Sequence, residues 1–212
     1  MRYKRILMSL IVLVLCVQLS GCVKTWSVTF NGSEDVDGWD IYHMNSDNDN
    51  WAISELGFEL DGYYAIGPYS FTTADCTLTL VFDLQCDGSN TAYMSVEFAD
   101  GNQLIVNRLR FALRDMGNVS AEAYWVDDGS GSLVTGATIP ALDHDGENKI
   151  ELIKKGNYLT VKLNSIVIYN GNYSYPLGYV VPYLACYMVD ASAATLYFKS
   201  IKVQCDGEII AR

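Results

Sequence analysis

From Trp26 onward apolar and polar residues alternate with a period of two, and turn-forming residues recur every eight to twelve positions or so. Successive side chains of a strand leave on opposite sides, so this pattern predicts half-buried strands. Their regular spacing predicts an all-β fold, an antiparallel β-sandwich of two sheets or a barrel. The clearest strand is 76–86, with Cys76, Leu78, Leu80, Phe82, Leu84 and Cys86 on one face, and Thr77, Thr79, Asp83 and Gln85 mostly filling the other. Further strands are expected near Trp26–Phe30 and at 91–98, 103–113, 119–126, 149–154, 158–164, 166–169, 179–189 and 195–205, with shorter ones between 39 and 66. Asp100-Gly101-Asn102 and Lys155-Gly156-Asn157 read as hairpin turns, because glycine and asparagine accept the positive φ such turns require. No segment sustains a helical period, and no internal repeat or long linker divides the chain, so one domain is expected.

The first 22 residues break this pattern. Arg2, Lys4 and Arg5 precede an apolar run from Ile6 to Val17, followed by Leu19-Ser20-Gly21-Cys22. A run of twelve residues is too short to span a bilayer. The tetrapeptide resembles the lipobox of bacterial lipoproteins. That resemblance implies a signal peptide over 1–21, cleavage before Cys22, a lipid on its thiol, and a mature single domain over 22–212. The expected location is the bacterial cell envelope, membrane-anchored and facing outside the cytoplasm. The whole chain carries 14 basic and 25 acidic residues, formally -11. Losing Arg2, Lys4 and Arg5 leaves 11 basic residues against the same 25, so the mature charge is -14. Such acidity argues against non-specific nucleic-acid binding, which depends on Lys and Arg displacing counterions from phosphates. It also opposes resting on anionic headgroups, which leaves the anchoring to the lipid.

With Cys16 discarded and Cys22 lipidated, Cys76, Cys86, Cys186 and Cys205 remain in a compartment where disulfides are permitted. If 76–86 is one extended strand, its ends lie about 33 Å apart, far beyond the ~4.4–6.8 Å between Cα atoms that a disulfide allows. Cys76 with Cys86 is excluded. Both other partitions, and four free thiols, stay open.

Three stretches carry a wider resemblance. Phe30-Asn31-Gly32, Asp37-Gly38-Trp39, Trp51-Ala52-Ile53-Ser54 and Gly57–Gly62 are similar to the opening of concanavalin A-like lectin/glucanase domains, including the laminin-G-like and keto-disaccharide hydrolase-like branches. Residues 148–164 resemble their central hairpin, and 194–203 their closing strand. Laminarinase-type members of the fold use an E-x-D-x-x-E strand as nucleophile, helper and general acid. Here the nearest match, Glu59-Leu60-Asp61-Gly62-Tyr63-Tyr64, ends in tyrosine and lacks the second glutamate. No catalytic residue is nominated on that basis. No G-x-S-x-G elbow occurs, and His43 and His144 sit beside turn-rich segments, as solvated histidines do. Laminin-G-like domains often hold calcium at a loop rim, and oxygen-rich loops at Asn45–Asn50, Asp127-Asp128 and Asp143–Asn148 could supply ligands. Solvated turns explain the same residues; no other cofactor is implied.

Carbohydrate binding has the best footing. If the strands at 91–98, 103–113 and 119–126 are neighbours, as sequential strands often are, alternation places Tyr93, Glu97, Arg108, Arg110, Glu122 and Tyr124 on one sheet face. Aromatic planes beside planar hydrogen-bonding groups suit sugar rings and hydroxyls. A solvated face with cross-strand ion pairs is the plainer alternative. A second candidate is the tyrosine-rich loop Asn170–Tyr179, while Trp39, Trp51 and Trp125 are expected in the core. The expected function is non-catalytic binding of an oligosaccharide or glycan. The alternatives are a glycoside or keto-disaccharide hydrolase, and a structural lipoprotein with a protein partner on the envelope.

Overall fold

A computed structural model of the chain describes residues 23–43, 50–72, 75–86, 92–100, 108–115, 123–127, 133–136, 142–143, 146–173, 177, 179–188 and 194–212. Seventeen strands lie among them: β1 (Lys24–Thr29), β2 (Asp40–His43), β3 (Asn50–Ser54), β4 (Gly57–Asp61), β5 (Tyr63–Ile66), β6 (Tyr69–Thr72), β7 (Asp75–Cys86), β8 (Ala92–Asp100), β9 (Arg108–Asp115), β10 (Ala123–Asp127), β11 (Leu133–Gly136), β12 (Glu147–Lys155), β13 (Tyr158–Leu163), β14 (Ile166–Asn172), β15 (Tyr179–Met188), β16 (Ala194–Cys205) and β17 (Ile209–Ala211). The helical content of the described residues is one short 3-10 turn at Ser33–Val36. Three strands escaped the sequence pattern. β6, β11 and β17 have four, four and three residues, too few for a period of two to register.

The strands form two antiparallel sheets. The first runs β14-β13-β12-β7-β16-β4-β3, with β1 also on β16; the second runs β11-β10-β9-β8-β15-β5-β2, with β6 bridging β15 to β17. β7 lies between β12 and β16 and turns Cys76, Leu78, Leu80 and Phe82 inward, all essentially without solvent contact. This is the face that alternation predicted; the side chain of Cys86 lies outside the described residues. Leu152, Val161, Ile201 and Val203 join them from the first sheet, and Val96, Phe98, Phe111 and Leu184 from the second. Burying each such side chain contributes roughly 1.5–3 kcal/mol, so this interleaved layer holds the two sheets together.

Local geometry explains two of the joints. β16 pairs with β4 up to Phe198 and with β1 from Ser200, and a bulge separates the two stretches. At that bulge the Lys199 carbonyl accepts the Phe30 amide at 2.9 Å, so the bulge passes one edge of β16 from one partner to another. Gly57 opens β4 at φ 131°, and a Cβ there would stand 2.7 Å from the Phe198 carbonyl oxygen. Only glycine fits that close approach. The expected turn at Lys155–Asn157 joins β12 to β13, with Gly156 at φ 52°. Residues 101–102 of the other expected turn lie outside the described residues.

Candidate functional site

Strands β8, β9 and β10 are neighbours, as the sequence suggested, and β15 lies against the other side of β8. Met94, Val96 and Phe98 of β8 and Leu109, Phe111 and Leu113 of β9 enter the core. The alternate positions therefore face away from the sandwich, and cross-strand register sorts them into rows. One row runs Tyr183, Glu97, Arg110, Asp127 over β15, β8, β9 and β10. The adjacent row runs Tyr42, Tyr64, Ala185, Ser95, Ala112, Trp125. Three small residues in its middle, between the Tyr64 and Trp125 positions, give the row a shallow trough whose floor at Ala185, Ser95 and Ala112 is 6%, 3% and 1% exposed. Four strand spacings of about 4.8 Å separate those ends, so the trough spans roughly 19 Å.

Charge lines one side of this trough. Glu97 is 2% exposed, although it points away from the core, and its Oε1 accepts the Ser95 hydroxyl at 3.0 Å. Arg110 stands between Glu97 and Asp127 in the ladder, and its guanidinium lies 3.9 Å from the Asp127 carboxylate. The Arg110 Nε is buried and has no hydrogen-bond partner among the described residues. A donor stripped of water and left unmet is costly, by about 1–3 kcal/mol. Tyrosines line the other end. Tyr42 stacks on Tyr64 at 5.1 Å and 22°, and Tyr64 on Tyr183 at 5.2 Å and 18°. Stacking occupies most of their ring faces and leaves the phenol groups as the polar edge of the row. Burial first, and the neighbouring Tyr42 second, raise the Tyr64 phenol above its ordinary range. It remains a neutral donor and acceptor at any physiological pH.

The sequence-derived candidates divide accordingly. Tyr93, Glu97 and Arg110 share the outward face as expected, with Tyr93 partly exposed and aligned with Arg114 and Tyr187. Arg108 occupies the same face by register, opposite Ala99, and its side chain is not among those described. Glu122 lies outside the described residues. Tyr124 is a correction: it pairs with Leu113, stacks on Phe111 at 6.2 Å and points into the sandwich, where its hydroxyl donates to the Ile168 carbonyl of the opposite sheet at 2.8 Å. By register Trp125 lies opposite Ala112 and Asp127 opposite Arg110, so the outward positions of β10 are the odd-numbered ones. Tyr42, Tyr64, Tyr183 and Asp127 are the members of this face that sequence reasoning missed.

The other candidates scatter. Glu59 and Asp61 lie on β4 in the opposite sheet, alternating with buried Phe58 and Leu60 and so facing away from the core. Burial first and Asp61 second raise the Glu59 carboxyl. His43 meets the edge of Tyr63 at 4.8 Å, and His144 lies outside the described residues. Of the oxygen-rich loops, 45–49, Asp128 and 144–145 also lie outside them. Asp143 and the buried Asn148 bond to each other, amide to side-chain oxygen at 2.9 Å and side-chain amide to carbonyl at 2.8 Å. Among the described residues no three His, Cys, Asp or Glu side chains gather as metal ligands. In the tyrosine-rich loop Tyr173 is buried and its hydroxyl donates to the Gly156 carbonyl, which caps the core, whereas Tyr179 is exposed. Trp39 is in the core as expected; Trp51 is 40% exposed, with an edge contact to Phe58.

No protein-family profile and no curated protein sequence matches the chain. Solved structures do match. A carbohydrate recognition domain of Emp46p superposes with a TM-score of 0.61 at 12% identity, covering 82% of this chain and 91% of that one. A glycosidic hydrolase superposes with 0.61 at 8% identity over 88% and 97% of the two chains. A protein of unknown function with a galectin-like fold from Bacillus subtilis gives 0.58 at 14% identity over 88% and 96%. The two-sheet sandwich described above is thus the galectin-like, concanavalin A-like jelly roll that its residue patterns resemble.

Proposed function

We propose that the protein is a lipid-anchored module of a bacterial cell envelope that binds an oligosaccharide, without cleaving it, in the outward trough of the second sheet. One observation carries this reading: the Arg110 guanidinium, partly exposed beside Asp127 on the outward face of β9, stands at the edge of a trough floored by Ala185, Ser95 and Ala112. Its outer N–H groups are donors that sugar hydroxyls can meet. The phenols of the tyrosine row and the Asp127 carboxylate offer further donors and acceptors at fixed spacing. The trough's length of roughly 19 Å suits a chain of several sugar units better than a single one. Similar folds include both a carbohydrate recognition domain and a glycosidic hydrolase, so the residues must choose between binding and hydrolysis. A hydrolytic carboxyl pair needs open space between its members for water or the leaving oxygen. Arg110 occupies that place between Glu97 and Asp127, and Glu59 and Asp61 belong to the other sheet. The anchor rests on Leu19-Ser20-Gly21-Cys22; β1 starts two residues later, at Lys24, which keeps the sandwich close to the membrane.

The test is a panel of plant, host and bacterial oligosaccharides, with and without calcium, against the wild type, Arg110→Gln and Tyr183→Ala. Binding that each variant weakens by about tenfold or more, equivalent to ~1.4 kcal/mol, supports the reading. Calcium dependence would move the site to the acidic loops. A silent panel would overturn sugar binding and favour a protein partner on the envelope.

A further inference from the structure

β7 and β16 run antiparallel, and beyond the bulge their register is unbroken from Val81 and Ser200 to Cys76 and Cys205. The two cysteines are directly opposite residues. Such pairs have Cα atoms about 4.5 or 5.5 Å apart, depending on their place in the hydrogen-bond ladder, and their side chains leave on one face. A disulfide requires about 4.4–6.8 Å, so either ladder position satisfies it. The register is clamped one residue beyond the pair. The Asp75 amide donates to Asp206 Oδ1 at 3.0 Å, and the Asp206 amide returns a bond to the Asp75 carbonyl at 3.3 Å. Asp75 Oδ1 also accepts the Gly156 amide at 2.8 Å.

We propose that Cys76 and Cys205 are a modification site, joined as a cross-strand disulfide by a small-molecule or protein disulfide oxidant. Cys76 and Cys205 line a cavity of about 350 Å³ at the end of the first sheet, which Lys154, Lys155 and Asp206 also line. Two lysines flank the pair in the same cross-strand row, Lys154 opposite Cys76 and Lys24 opposite Cys205. Cys186 lies in the second sheet, opposite Met94 and Tyr63, and Cys86 lies opposite Ala194 at the far end of β7.

The chemistry is thiol–disulfide exchange. One cysteine thiolate attacks a sulfur of the oxidant, whose S–S bond breaks and releases one thiol. The second thiolate then attacks the mixed disulfide, forms the Cys76–Cys205 bond and releases the other half. The two cysteines give up two electrons and two protons, which leave as two oxidant thiols. Burial first and the Cys205 thiol second raise Cys76, outweighing the Lys154 cation, and burial raises Cys205 as well. Thiolate is therefore scarce in the folded, reduced chain. The bond forms as the strands come together, and once buried it is shielded from reductant.

The deciding experiment is peptide mapping, without reduction, of the full chain refolded with oxidised glutathione. A peptide linking Cys76 to Cys205 is expected, and it should vanish in Cys76→Ser and persist in Cys186→Ser. Closing a loop of roughly 130 residues should also place the Tm of the oxidised wild type on the order of 10 °C above that of the reduced form. Linkage through Cys86 or Cys186 instead, or complete alkylation of Cys76 and Cys205 after the oxidative refold, would overturn the proposal. Since the mapping reads the wild type, a variant that does not fold leaves the answer intact.

Discussion

The inward placement of Tyr124 makes a prediction that separates the core from the proposed ligand face. Its hydroxyl crosses between the sheets to the Ile168 carbonyl at 2.8 Å. Ile168 sits at the bulge where the β13–β14 register slips, between the pairs Val161–Tyr169 and Lys162–Val167. It has no cross-strand partner in that ladder, so the phenol meets a carbonyl that the bulge has turned loose. Tyr124→Phe keeps the ring on Phe111 and deletes only this bond. Losing one net hydrogen bond and stranding a half-buried carbonyl costs about 1–2 kcal/mol. In a protein of this size each kcal/mol moves the Tm by about 2–4 °C, so thermal unfolding should fall by roughly 2–8 °C. Affinity for any oligosaccharide found in the panel should stay within about twofold, because the hydroxyl faces the interior. Tyr183→Ala has the opposite profile, with a stacking loss of about 0.5–1.5 kcal/mol and a marked loss of binding. Calorimetry on the two variants, beside a titration with the best panel sugar, reads both effects. An unchanged Tm for Tyr124→Phe, or a loss of binding in that variant with Tyr183→Ala unaffected, would refute the face assignment.

Why the sequence misplaced Tyr124 while it located Glu97 and Arg110 is a matter of where alternation can be counted. Within β8 the run Met94, Val96, Phe98 leaves no doubt which positions are polar, and Leu109, Phe111, Leu113 does the same in β9. From β9 to β10 the outward positions change from even to odd numbers, so a count that keeps the even positions outward fails. β10 then offers adjacent aromatic residues, Tyr124 and Trp125, either of which could fill a core position. Hydroxyl chemistry does not resolve that choice; a loose carbonyl on the opposite sheet does, and it is visible only when the sheets are stacked. The tyrosine row was hidden for another reason. Tyr42, Tyr64 and Tyr183 come from β2, β5 and β15, more than a hundred residues apart at the extremes. Each strand shows its alternation, as in Ile41 beside Tyr42 or Leu184 beside Tyr183, but nothing local says that β15 lies between β5 and β8. The sandwich class was readable because every strand repeats the same period, whereas the trough depends on which strands are neighbours.

Two further measurements probe interactions away from the trough. Asn148 is wholly buried on β12 and joins three partners: the Asp143 amide, the Asp143 carbonyl, and the Asn164 side chain at 2.9 Å, which itself accepts the Lys149 amide at 2.8 Å. Asn148→Ala should therefore destabilise by about 2–4 kcal/mol in denaturant unfolding, and a loss below roughly 0.5 kcal/mol would refute this account of the knot. Glu59 tests the electrostatics of β4, where burial first and Asp61 second raise its carboxyl in the folded chain. A folded pKa above the unfolded value means that the native state holds the proton more tightly, so the Glu59 contribution is fully present below the unfolded carboxylate pKa and is lost as pH rises through the folded one. Replacing it by the uncharged, nearly isosteric glutamine removes that penalty. Glu59→Gln should thus unfold at a higher temperature than the wild type at neutral pH, with the gap closing as the pH drops below the carboxylate range. A variant less stable than the wild type at pH 7, or a gap that widens in acid, would show that the carboxylate is held by favourable partners and that burial does not dominate its titration.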